Sequence, residues 1–148
     1  MSYQYRFERI LTLKEKEKDE VNEQYKGAVS KFEHVAEKLY EFLKKKEELE
    51  LHQANKLQTG LSVQDIRHHQ QFITNLGKTI SYYQELVIQA RNRMNWYEEK
   101  LVDMNVEVKK YEKIKEKDLS LFLRRLKENE NKQLDEVSVV QYMNRGIR

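Results

Sequence analysis

Residues 52–66 read HQANKLQTGLSVQDI, and the layout of the chain follows from them. Gly60 stands directly before a helix-start signal. Ser62 can cap a first turn with its hydroxyl, and Asp65 sits at the third helical position, able to reach back. Leu61 and Ile66 flank that pair where a hydrophobic staple would bring them together. A turn is therefore expected at about 58–62, with one helix before it, over about 5–57, and another after it, over about 63–143.

Downstream of the turn the apolar spacing is nearly unbroken. Steps of three and four from Ile66 reach His69, Ile73, Leu76, Ile80, Tyr83, Val87, Ala90, Met94, Tyr97, Leu101, Met104, Val108, Tyr111 and Lys115. Only His69 and Lys115 depart from apolar character. A repeat averaging 3.5 residues specifies a coiled-coil seam. Upstream, Val21, Tyr25, Ala28, Phe32, Val35, Leu39, Phe42, Lys46 and Leu49 keep the same alternation. Phe7, Ile10, Leu11 and Leu13 form an apolar cluster ahead of a charged run from Lys14 to Glu20. Gly27 and Gly77 interrupt the helices at a cost of about 1 kcal/mol each relative to alanine, and close packing is one reason to keep them.

Composition supports long helices and little else. The 148 residues contain no proline, where average usage would give about seven. Charged residues make up 36%, mostly types that lose little rotamer freedom in a helix. Such a chain buries a narrow stripe and no multilayer core. The fold class is all-α: a single long antiparallel two-helix coiled coil, an α-hairpin with helix two longer than helix one. At 1.5 Å per residue the arms would span about 80 and about 120 Å. Partners across the seam sum to roughly 120, which sets Phe7 opposite the region of Lys113 and leaves residues beyond about Leu119 overhanging.

Several function classes are set aside at this level. Without cysteine there is no disulfide, thiolate site or cysteine nucleophile. His34, His52, His68 and His69 offer no pair at the four-residue spacing a zinc site needs, so no metal and no cofactor is expected. There is no glycine-rich phosphate loop, and a two-helix seam gives a carboxylate pair little shelter in which to separate its pKa values. The chain is read as no enzyme, with no small-molecule substrate. Basic and acidic residues, 28 and 25, are interspersed, which argues against a nucleic-acid partner. The opening MSYQYR lacks the apolar run of a signal peptide, and no stretch approaches a membrane span.

The overhang carries the most suggestive pattern. Lys109 to Lys127 holds eight basic and three acidic residues. Within it Leu119, Phe122, Leu123 and Leu126 form an apolar stripe beside Arg124, Arg125 and Lys127. The stripe suits a partner's groove, an anionic membrane surface, or packing on Ile10, Leu11 and Leu13 of the same hairpin. Off the seam, Phe72 is a candidate binding anchor.

Three stretches resemble the flagellar export protein FliJ family, whose members are soluble components of the flagellar type III secretion apparatus. They are YRFERIL at 5–11 followed by LKEKEKDE at 13–20, QQFITNLGKTI at 70–80, and KQLDE at 132–136. The resemblance implies a stalk-like adaptor that binds the hexameric export ATPase and raises its activity, contacts the membrane export gate, and assists export chaperones. It implies a cytoplasmic location, peripheral to the inner face of the cell membrane at the flagellar base and held there through partners. The family's gate-contacting segment matches Gln71 to Tyr83, which assigns Phe72, Leu76, Thr79 and Tyr83 to that contact. Leu76 and Tyr83 also fall on the seam, so either role stands open for them. The stalk analogy assigns ring binding to Phe7, Ile10, Leu11, Leu119, Phe122, Leu123 and Leu126. The alternatives are a structural coiled coil scaffolding a membrane surface, or the equivalent rod of an injectisome.

Overall fold

A computed structural model describes residues 2–146. Among them there are two helices and no strand: α1, Glu8–Thr59, and α2, Val63–Gly146. The two pack against each other, and α2 is the longer, 84 residues to 52. The fold is the all-α pair of unequal helices that the periodicity requires.

The connection is built as its residues dictate. α1 stops at Thr59, and Gly60 follows with φ at +94°, in the left-handed region where a glycine most readily ends a helix. The Thr59 hydroxyl donates to the Lys56 carbonyl at 2.9 Å. Ser62 then opens α2: its Oγ accepts the Asp65 N–H at 3.1 Å, and its carbonyl accepts the Ile66 N–H at 3.1 Å. An N-cap of this kind contributes about 1 kcal/mol. Leu61 and Ile66 are both half-buried beside it.

By its contacts the chain divides into two compact units: residues 19–102, and residues 1–18 together with 103–148. In the first, the buried residues are Val21, Ala28, Val35, Leu76, Ile80, Val87 and Ala90. Val35, Val87 and Ala90 form a cluster against which Phe32, Ala36, Leu39 and Leu86 pack. Phe42 meets Tyr83 with ring centroids 5.2 Å apart, and the Arg91 guanidinium lies over Phe32 at 5.7 Å. Pairings fall along α2 as they rise along α1, as an antiparallel seam demands.

In the second unit Tyr5, Leu11 and Val108 are buried, with Tyr3, Phe7, Tyr111 and Ile114 packed against them. α1 starts at Glu8, three residues later than the composition suggests, because the residues before it are engaged differently. Tyr3, Tyr5 and Phe7 alternate along a non-helical segment and lie on α2. All fifteen seam positions from Ile66 to Lys115, and all nine from Val21 to Leu49, are buried or half-buried. The burial is shallow, since most of these side chains are only half-buried, although Val108 retains just 2% of its surface. Two helices cover each other on one stripe only.

Close packing does not account for the interior glycines. A Cβ added at Gly27 or Gly77 would meet nothing within 4 Å.

Candidate functional site

The N-terminal segment makes the most elaborate polar arrangement in the molecule. The Tyr5 hydroxyl donates to the Tyr111 carbonyl at 2.9 Å. The Tyr3 hydroxyl donates to Asp118 Oδ2 at 3.0 Å, with the Lys115 carbonyl at 3.5 Å. The Tyr3 ring meets Phe122 at 5.3 Å, Tyr5 meets Phe7 edge-on at 5.9 Å, and Phe7 meets Tyr111 at 6.4 Å. Aromatic contacts of this kind are worth about 0.5–1.5 kcal/mol beyond their buried area. Desolvation, and after it the bond to Asp118, pushes the Tyr3 phenol up to about 12. Desolvation pushes Tyr5 up as well.

Lys115, a polar break on the α2 side of the seam, has its place here. Its ammonium sits 3.0 and 3.2 Å from the two carboxylate oxygens of Glu8 and 5.9 Å from the Tyr5 ring centre. The lysine stem covers apolar surface while its head stays wet. His69, the other break, is half-buried, and its Nε2 has no hydrogen-bond partner among the described residues.

Of the residues assigned to ring binding, Leu11 is buried in the N-terminal cluster, and Phe7 and Phe122 are half-buried in it. Ile10, Leu119, Leu123 and Leu126 are exposed. The seven share one unit, yet they do not form one continuous face. Leu11 points into the seam, whereas Leu123 and Leu126 belong to a stretch of α2 whose residues, from 123 to 146, are all exposed. That stretch also shows Leu134, Val137, Val139, Val140, Tyr142 and Met143.

The residues assigned to the export gate lie in the other unit. Phe72 is 46% exposed, with the Lys45 ammonium 5.5 Å from its ring centre. Thr79 is half-buried and donates to the Asn75 carbonyl at 3.3 Å within its own helix. Leu76 retains only 7% of its surface, and Tyr83 is half-buried against Phe42. The helix turns Phe72 outward and Leu76 inward.

The sequence reading passed over Tyr3, Tyr5, Asp118 and the Lys115–Glu8 pair. A signal for the first two was present, because Tyr3, Tyr5 and Phe7 alternate at period two, the mark of an extended segment with one apolar side. No signal pointed to Asp118. Among the described residues there is no grouping of three metal-ligating side chains, and no helix is long and apolar enough to cross a membrane.

Comparison with known proteins adds the family. No solved structure matches the chain. The flagellar FliJ protein of Bacillus subtilis (strain 168) is 50% identical over 146 residues, covering 99% of this chain and 99% of its own length. A family model described as flagellar FliJ protein matches residues 3–146. With a relative so similar from end to end and a family match over nearly every residue, the chain belongs to the flagellar FliJ protein family.

Proposed function

We propose that this protein is a non-enzymatic, stalk-like adaptor of the flagellar type III export apparatus. In this reading it binds the hexameric export ATPase and raises its activity, contacts the membrane export gate, and assists the handling of substrate chaperones. It works in the cytoplasm at the flagellar base, held at the membrane by those partners. The observation that carries the reading is the run of α2 from Leu123 to Gly146, in which apolar side chains are exposed with no internal cover. A helix showing its apolar residues is built to be received in a partner's groove. Leu119, Phe122, Leu123 and Leu126 lead into that run, and Ile10 adds to the exposed apolar surface of the same unit.

For the gate, the accessible anchor is Phe72, an aromatic ring half open to solvent and bordered by Lys45. Leu76 and Tyr83 support that contact from beneath by fixing the helix against α1. Family membership supports the flagellar setting.

The deciding experiment is the hydrolysis rate of the cognate flagellar ATPase with increasing amounts of this protein. Stimulation that saturates near one copy per hexamer is expected. No change in rate together with no co-sedimentation would remove the ATPase from the proposal.

A further inference from the structure

The face of α2 that looks away from the N-terminal segment carries a row of cations that takes no part in the packing described above. At 3.6 residues per turn, Lys109, Lys110, Lys113, Lys117, Arg124 and Lys127 fall within a sector of about 100° and extend over about 27 Å of helix. All six are exposed. The opposite side of the same helix is held by Val108, Tyr111 and Phe122, which pack on Tyr3, Tyr5 and Phe7. Lys115 and Arg125 lie outside the sector, the first paired with Glu8.

Most acids of this stretch lie off the row. Asp118 is turned toward Tyr3, Glu107 is half-buried on the seam side, Glu112 and Glu116 lie along one border of the row, and Glu128 lies at its other edge. Among the described residues, none of the six cations is within ion-pair distance of a carboxylate. Lys109, Lys113 and Lys117 recur every four residues, a spacing at which like charges on a helix repel. The hairpin gains nothing from that repulsion, and an external anionic surface would relieve it.

We propose that this face docks directly on an anionic lipid surface. A straight row meets a flat charged surface along its whole length at once. Exposed Val106 lies in the row, with Leu121 and Leu123 at its margins, apolar side chains that a bilayer interface accepts and a phosphate backbone does not. Clusters of four to eight Lys or Arg on one helix face are the usual size for attraction to acidic headgroups. The contact is made by this chain's own side chains and does not depend on any protein partner.

The test uses the full-length protein, sedimented with vesicles of phosphatidylcholine alone or containing phosphatidylglycerol. Binding is expected only to the anionic vesicles at about 50 mM salt, and it should disappear by about 500 mM as screening shortens the reach of the charges. The triple variant K109Q/K113Q/K117Q should bind about tenfold more weakly or worse. K31Q/K44Q/K56Q, which removes the same charge from other exposed positions, should bind like the unaltered protein. Unchanged circular dichroism in both variants assigns any loss to the surface and not to unfolding. Equal binding to uncharged vesicles, an unaffected row variant, or an equal loss in the control variant each overturns the proposal. Tighter binding to duplex DNA than to phosphatidylglycerol overturns it too, and makes the row a nucleic-acid contact.

Discussion

Gly27 and Gly77 lie inside helices, with open space where a side chain would begin. Neither has a positive φ, so neither is needed for backbone shape. Gly27→Ala and Gly77→Ala should therefore each stabilise the fold by about 1 kcal/mol, read as a rise in the denaturant midpoint at unchanged slope. A loss of stability in either would reveal a contact that the packing does not show. Tyr3 and Tyr5 give a second expectation at this scale. In an unfolded chain a tyrosine loses its proton near pH 10. With Tyr3 held up to about 12 in the folded state, the folded form keeps a proton that the unfolded form has released between those values. The contribution of Tyr3 is thus whole below about pH 10 and fades as pH rises through about 12, and Tyr5, raised in the same direction, adds to it in the same sense. A phenolate absorbance titration should show a late-ionising fraction, and Tyr3→Phe should reduce it. A titration with no late-ionising fraction would contradict the clasp.

At the scale of the element, α2 is two kinds of helix in one. As far as Phe122 it has a partner, and from Leu123 onward every described residue is exposed. Deleting residues 119–148 should leave the remaining helix pair folded, with ellipticity reduced only by the missing segment. Stimulation of the ATPase should be lost in the same deletion. Full stimulation by the shortened protein would refute the ring assignment. The seam was legible in the sequence because two helices in mutual contact need only one apolar stripe each, and a stripe repeats. The two polar breaks on its α2 side were legible as positions but not as roles. That Lys115 reaches Glu8, and that Asp118 takes the Tyr3 hydroxyl, depends on which residues of a distant segment arrive opposite, and local periodicity carries no such information. α1 starts at Glu8, and not at about residue 5, for the same reason. Residues 5–7 have no strong bar to helix, and their aromatic rings settle the matter by lying on α2. The candidate docking residues were legible only in part: a stripe can be read from spacing, but whether Leu76 faces in or out depends on the facing helix.

For the whole molecule, stability is a sum of shallow layers and not the property of one centre. Along the seam each apolar side chain has only its near neighbours for cover, and the chain divides into two compact units. A perturbation should then stay near its origin. Leu11→Ala, at a site 4% exposed, should cost about 2–3 kcal/mol locally. Amide exchange should quicken at about 5–15 and 104–115, with little change around Val35 and Val87 in the other unit. Uniform acceleration across both units would mean that the chain unfolds as one cooperative body.

The clasp of Tyr3 on Asp118 and Phe122 also bears on how the protein is handled at the bench. An affinity handle or fluorescent fusion joined just ahead of Ser2 would be anchored beside packed rings and the hydrogen bond to Asp118, not to a free tether. It would crowd the face of α2 that bears Phe122 and the leucines proposed to engage the ATPase. A negative pull-down from such a fusion would report on the handle as much as on the protein.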